Sequence, residues 1–312
     1  MPTVGSMPYR TLGRTGERVS LVGLGGHHLG KNPNEQEAIA VVRAALDQGL
    51  NFMDNCWSYH EGRSETLMGK ALRDGYRAKA FIMSKIDART RKVALGQIDE
   101  SLRRLQTDVL DLVQIHEVIR MEDPDWCFAP DGAIEGLVEA RRLGKIRFIG
   151  FTGHKDPAIH LKMLATARAN GFAFDTVQMP LSVLDHHFRE HSFERQVLPV
   201  LVAENVGVLA MKTMAYGTIP ESGVVSAVEC LRYAMGLPTS VVVTGCETLA
   251  RLEQAIHTAT VFEPLTPAEK ADILGRSKDL GALGENEPWK TTTNNDSTSR
   301  NPDWMWEKVA WA

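Results

Sequence analysis

The sequence is short of features that mark several common classes of protein. Its 312 residues hold four cysteines, Cys56, Cys127, Cys230 and Cys246, none of them in a Cys-x-x-Cys pair. That excludes a zinc-ribbon or dithiol pattern and matches free thiols in a reducing cytoplasm. Basic runs are missing too, and the net charge is −4. A nucleic-acid partner is therefore not expected, because neutralising phosphates needs a positive footprint. The longest apolar stretches are strand-length, so no membrane span is expected. The opening MPTVGSMPYRTLGRTG lacks the apolar centre of a secretion signal, and a cytoplasmic location is the expectation.

What is present is a beat. Apolar runs of strand length recur at Leu21–Gly25, Asn51–Asn55, Ala80–Lys85, Val109–His116, Ile146–Thr152, Thr176–Met179, Val206–Lys212 and Ser240–Thr244. Their starts lie about 30 residues apart, roughly one strand, one crossover helix and two loops. Helical patterns fill the gaps at Asn34–Gln48, Arg91–Leu105, Asp156–Asn170, Ser192–Asn205, Glu221–Met235 and Thr248–Thr260. Asp156 before Pro157, and Thr248, have the chemistry of helix caps. Eight strand–helix units without a break in composition predict an α/β chain closed into one (β/α)8 TIM barrel. A doubly wound sheet in two domains is the alternative on periodicity alone. Pro8–Ser20, with Gly13 and Gly16, reads as an N-terminal β-hairpin plugging the barrel bottom. Residues 1–280 are assigned to the barrel. Residues 281–312 form a C-terminal tail, polar and then marked by Trp304, Trp306 and Trp311, expected to pack on the barrel or to be partly disordered.

In such a barrel the working groups stand at the C-terminal ends of the strands. Asp54 ends the second run, with Tyr59 in the loop behind it; Lys85 ends the third, and His116 the fourth. Consecutive strands are neighbours, so an acid, a lysine and a histidine converge on one tyrosine. A phenol near its ordinary pKa of about 10 is a weak donor at neutral pH. An adjacent ammonium is expected to lower it, a carboxylate to hold that ammonium, and a neutral histidine to hydrogen-bond the same oxygen. The set suits protonation of an alkoxide as it develops from a carbonyl.

The segments FMDNCWSYHEGRSE, FIMSKID, SLRRLQTDVLDLVQIHE and RFIGFTGH, in that order and spacing, resemble the aldo-keto reductase family, from about Tyr9 to Thr260. The resemblance implies a barrel that binds NADP(H) or NAD(H) and reduces aldehydes or ketones. It makes Asp54, Tyr59, Lys85 and His116 the catalytic tetrad, with Tyr59 as general acid. It implies cofactor contacts at Gly26, Asp54, Thr152, Gly153, Gln178, Met211, Lys212, Gly245, Arg251 and Gln254. Several depart from the family pattern: Thr152-Gly153 replaces Ser-Asn, Met211 stands where a tyrosine often stacks on the nicotinamide, and Gly245 replaces a lysine. Lys212 is placed near the pyrophosphate. Arg251 suits a 2′-phosphate and Glu247 a free ribose hydroxyl; the balance favours NADPH. His27, Trp57 and Trp126 are assigned to the substrate side, Trp126 with Phe128 in the loop Glu117–Ala133.

Blander readings stand beside these. His187 and His191 share helical spacing but lack a third ligand, and no metal is expected. The glycines of VGLGGHHLG have the wrong spacing for a dinucleotide fingerprint. Cys56 has no base partner in its own segment and reads as an inert thiol. Two rival functions remain: a nicotinamide-binding redox sensor or accessory subunit, and a lyase or isomerase using Lys85 as a Schiff-base nucleophile. The expected partner is a small carbonyl compound.

Overall fold

The computed structural model describes residues 6–307; Trp311 lies outside them. Two short strands open the chain, β1 (Tyr9–Thr11) and β2 (Arg18–Ser20), paired antiparallel. Eight parallel strands follow: β3 (Val22–Gly25), β4 (Phe52–Asp54), β5 (Phe81–Ile86), β6 (Leu110–Ile115), β7 (Ile146–Thr152), β8 (Thr176–Pro180), β9 (Gly207–Met211) and β10 (Val241–Thr244). They close in chain order, β10 returning to β3. The barrel expected from periodicity is the barrel found, and each expected strand lies within one or two residues of its place.

Side chains alternate between the faces of a strand, so residues two apart share the barrel interior. Phe52 on β4, Phe81 and Met83 on β5, Leu112 on β6, Leu209 on β9 and Val241 and Val243 on β10 form one inner cluster, and Phe52 stacks on Phe81 with centroids 5.4 Å apart. Leu12 and Val19 of the hairpin complete that cluster and close the floor. The hairpin turn presses against β9: a Cβ on Gly13 would meet Gly207 N at 2.2 Å, and its φ of +50° is one that glycine tolerates. A second, larger apolar layer lies between strands and helices.

Two expected helices differ. The stretch 192–205 breaks into Phe193–Gln196 and Leu198–Ala203, because Pro199 cannot continue the hydrogen-bond ladder and instead opens the second helix. The helix expected from Glu221 begins at Ala227, where Ser226 and Glu229 form a capping box; Gly223, with φ +72°, turns the chain just before it. Beyond the last barrel helix runs Pro267–Gly281, then three single turns, Pro288–Thr291, Ser297–Arg300 and Asp303–Trp306. Trp289 is fully buried. Lys290 Nζ donates to Asp185 Oδ1 at 2.6 Å and to Glu287 Oε2 at 3.0 Å, all three side chains being out of solvent. Among the described residues no helix is long and apolar enough to cross a membrane.

Candidate active site

The inner-face alternation that builds the floor also builds the site. Continuing upward by twos from Phe52 gives Asp54; from Phe81 and Met83, Lys85; from Leu112 and Gln114, His116. On the far side the same step reaches Thr152, Gln178 and Met211. Register aligns the rim: Gly25 pairs with Asp54, Lys85 with Gln114, and Thr152 with Gln178. Polar side chains here stand on an apolar column, at the end where the strands stop.

Lys85 is buried and donates to Asp54 Oδ1 at 2.5 Å, to Asn55 O at 2.9 Å and to Tyr59 Oη at 3.3 Å. Tyr59 is held by the turn after β4. His60 and Glu61 take φ of 52° and 55°, and Gly62 85°, reversing the chain into the helix Arg63–Ala71. Consecutive positive φ values are costly for side chains other than glycine, so the turn is held by its surroundings. Here Ser64 Oγ donates to Gly26 O at 2.7 Å, and the His60 ring contacts His27 O at 2.9 Å.

Two electrostatic expectations are overturned. Burial, with repulsion from Asp54, pushes the Tyr59 phenol well above its usual pKa. Its ring edges the cavity, yet protein surrounds it deeply enough to strip away solvent stabilisation of a phenolate. The Lys85 ammonium, whose shorter contacts go to Asp54 and Asn55, does not outweigh that burial. His116 is likewise not hydrogen-bonded to the tyrosine. Its Nδ1 lies 2.8 Å from Asp87 Oδ1, and its ring meets Tyr59 edge-on at 5.9 Å. Burial opposes its charge, but the Cys56 sulfur and the Asp87 carboxylate outweigh burial and lift the ring well above the ordinary histidine value.

The site opens into a cavity of about 1010 Å³. Of the residues singled out in the sequence, Asp54, Tyr59, Lys85, His116, Thr152, Gly153, Gln178, Met211, Lys212, Gly245, Arg251 and His27 all line it. Burial, aided by His28 nearby, lowers His27 to about 3, so it faces the cavity as a neutral ring. Glu247 stands between His28 Nε2 at 3.7 Å and Arg251 Nε at 3.6 Å.

Four assigned residues are elsewhere. Trp57 is 1% exposed; its indole N–H donates to Glu100 at 2.7 Å and its ring packs against Trp304, so it is a packing residue. Trp126 packs on Trp306 at 5.3 Å, away from the cavity wall. Gly26 is enclosed, because a Cβ there would meet Asp54 O at 2.6 Å. Gln254 is exposed on the helix Leu249–Thr260, off the cavity wall. His187 and His191 do not share a helix face; they turn to Ser277 at 3.1 Å and Asp156 at 2.7 Å.

Other wall residues escaped the sequence reading. Asn294, Asn295, Arg300 and Trp304 bring the tail to the cavity. Glu117, directly after His116, fixes it there: its carboxylate accepts from Ser297 N at 2.9 Å, Thr298 N at 2.7 Å and Thr298 Oγ1 at 2.8 Å. Asp87 was visible two positions after Lys85, but nothing in the segment tied it to His116.

A closed parallel barrel with a Lys–Asp–Tyr–His cluster at its C-terminal rim defines a class, and comparison agrees. The chain belongs to the aldo/keto reductase family, whose profile matches residues 21–228; this is a family of oxidoreductases that use nicotinamide cofactors. It is 33% identical over 226 residues to L-galactose dehydrogenase of Arabidopsis thaliana, covering 69% of this chain and 67% of the relative. A shorter match, 35% identical over 122 residues, covers 35% of this chain and 37% of a probable voltage-gated potassium channel subunit beta of Oryza sativa subsp. japonica. In fold it is similar to the holo form of aldo-keto reductase AKR11C1 from Bacillus halodurans, with TM-score 0.71 and 22% identity over 86% of this chain and 96% of that one. The chain spans about two thirds of the length of the curated relatives it matches.

The residues present fit a nicotinamide group. Gln178 Oε1 is buried and has no hydrogen-bond partner among the described residues, an acceptor suited to a carboxamide N–H. The cavity has the size of a cofactor site.

Proposed function

We propose that the protein reduces an aldehyde or ketone to an alcohol with a nicotinamide cofactor, preferring NADPH, NADH being the alternative donor. The observation that carries this reading is the Lys85 contact triad with Asp54, Asn55 and Tyr59 at the rim of a large cavity. Thr152, Gln178 and Met211 would hold the nicotinamide end, Lys212 the pyrophosphate, and Arg251 a 2′-phosphate. When bound, the cofactor supplies a hydride to the carbonyl carbon.

The chain's own groups handle the proton. Tyr59 keeps its hydrogen at neutral pH, because its phenolate is disfavoured. It gives that hydrogen up only to a stronger base, which an alkoxide is. Lys85, 3.3 Å away, then stabilises the phenolate left behind. Asp54 holds Lys85 in place, and His116, oriented by Asp87, offers its cavity-side nitrogen to the carbonyl oxygen. The partner in this reading is a small carbonyl compound, the location a reducing cytoplasm with Cys56, Cys127, Cys230 and Cys246 unpaired. The barrel unit runs to residue 280, and the described part of the tail after it, 281–307, serves as a wall of its pocket.

A Schiff-base role for Lys85 fits poorly, since its hydrogens are committed to Asp54 and Asn55. The sensor or accessory-subunit reading draws on the match to a channel subunit, but a binding-only protein has no use for the whole proton-transfer set. The test is a panel of aldehydes and ketones offered with NADPH and with NADH in parallel. Turnover, faster with NADPH, is expected; tight cofactor binding without turnover on any carbonyl would favour the sensor.

A further inference from the structure

Cys56, His116 and Asp87 reach one point from the ends of three neighbouring strands. Cys56 Sγ lies 3.4 Å from His116 Nδ1, and that nitrogen lies 2.8 Å from Asp87 Oδ1. One donor atom from each residue falls within 4.8 Å of the others. Cys56 and Asp87 are fully buried. The second oxygen of Asp87, Oδ2, has no partner of hydrogen-bond geometry among the described residues, although the Ser58 hydroxyl is near enough to steady the carboxylate. A buried carboxylate oxygen left unpartnered beside a thiol and an imidazole is not explained by the positioning of His116, for which Oδ1 suffices.

From this geometry we propose that Cys56, His116 and Asp87 form a binding site for Zn²⁺ or a similar thiophilic divalent cation. The donor set is thiolate, imidazole nitrogen and carboxylate, three ligands of the types zinc takes, with a fourth position left over. Ser58 Oγ stands 3.3 Å from Cys56 Sγ and, with His116, lines the cavity, giving the ion a path in and the fourth position a hydroxyl or a water. With zinc–ligand bonds of about 2.0–2.3 Å, the edges of a tetrahedral site come to about 3.3–3.6 Å. The sulfur–nitrogen separation already meets this, and the carboxylate would have to draw back from Nδ1 by about half an ångström as the ion enters.

Charge also balances. Zn²⁺, thiolate, neutral imidazole and carboxylate sum to zero, so the loaded site is neutral. The nearby Arg89 guanidinium does not compete for Asp87, because it pairs with Asp123 at 2.9 Å and donates to the backbone oxygens of Asp87, His116 and Glu117. Binding the metal takes the Nδ1 that Asp87 otherwise holds, so it would also slow carbonyl reduction; that consequence alone rests on the reductase reading.

The direct test is titration of the purified, metal-free full chain with Co²⁺, followed in the visible and near ultraviolet. Expected are tetrahedral ligand-field bands and a thiolate-to-metal charge-transfer band, saturating at one ion per chain and abolished by Zn²⁺. Cys56→Ser should remove the charge-transfer band and weaken Zn²⁺ binding on the order of 100-fold; Asp87→Asn should weaken it while keeping the band. A wild-type spectrum with no thiolate band would overturn the proposal without reference to any variant. So would an undiminished band in Cys56→Ser, which would move the site to another cysteine. These spectra are read without substrate or cofactor, so failure of the reductase reading leaves them unchanged.

Discussion

Gln178 donates its side-chain amide to Asp54 Oδ2 at 2.6 Å, while Lys85 holds the other oxygen of the same carboxylate at 2.5 Å. One buried aspartate thus joins β8 to the lysine that contacts Tyr59. The bond also fixes which way the Gln178 amide points, leaving Oε1 as an acceptor without a partner. Replacing Gln178 with leucine strands Asp54 Oδ2 in a buried setting, at a cost of about 1–3 kcal/mol. The expected outcome is a lower melting temperature together with weaker nicotinamide binding by fluorescence titration. Unchanged cofactor affinity in Gln178→Leu would mean that the free acceptor is not used.

One side chain at the barrel mouth takes three hydrogen bonds from the tail. Glu117 accepts three hydrogen bonds from Ser297 and Thr298, two of them from backbone N–H groups at the start of a single helical turn. Glu117→Ala should release that turn, each charge-assisted bond contributing about 1.5–3 kcal/mol locally. Faster amide exchange at Ser297 and Thr298 is expected, with KM for the carbonyl raised several-fold and little change in kcat. Exchange as slow as in the wild type would show that the turn's other contacts, Arg120 with Thr298 and Ser299 among them, hold it without Glu117.

Glu287 gives the tail a pH dependence. Burial raises its carboxyl to about 7, against the pull of Lys290 and helped by Asp185. In the unfolded chain a glutamate titrates near 4.3, so between about 4.3 and 7 the folded protein holds a proton that the unfolded chain has lost. Stability from this group is therefore present at low pH and declines as pH rises through that window. Glu287→Gln should flatten the decline of melting temperature between pH 5 and pH 8, about the span of the shift. A steeper decline in the variant would reverse the assignment.

Much of the site was legible because it obeys a simple period. Asp54, Lys85 and His116 end strands whose inner positions the chain fills with Phe52, Phe81, Met83 and Leu112, so strand ends alone pointed to them. Trp57 was misplaced because an aromatic beside the candidate tyrosine looks the same whether it faces a cavity or, as here, Glu100 and Trp304. The tail was illegible for a different reason. Asn294, Asn295 and Arg300 sit in a polar stretch with no period, and their place depends on the distant Glu117, Asp185 and His154. The direction of the Tyr59 shift was hidden as well. Sequence shows which charges are neighbours, but not that Asp54 takes Lys85 at the shorter distance while burial governs the phenol.

The role of Tyr59 is the centre of the account, and Tyr59→Phe tests it most directly. Cofactor affinity and turnover would be measured on the same preparation, with a carbonyl compound the wild type reduces. Loss of a positioned general acid costs about 10²–10⁴-fold in rate. The account predicts a fall in kcat of that size with cofactor affinity within about twofold of wild type, since the hydroxyl that is lost serves proton transfer. Turnover near the wild-type rate, on the same substrate and with the same cofactor affinity, would contradict it.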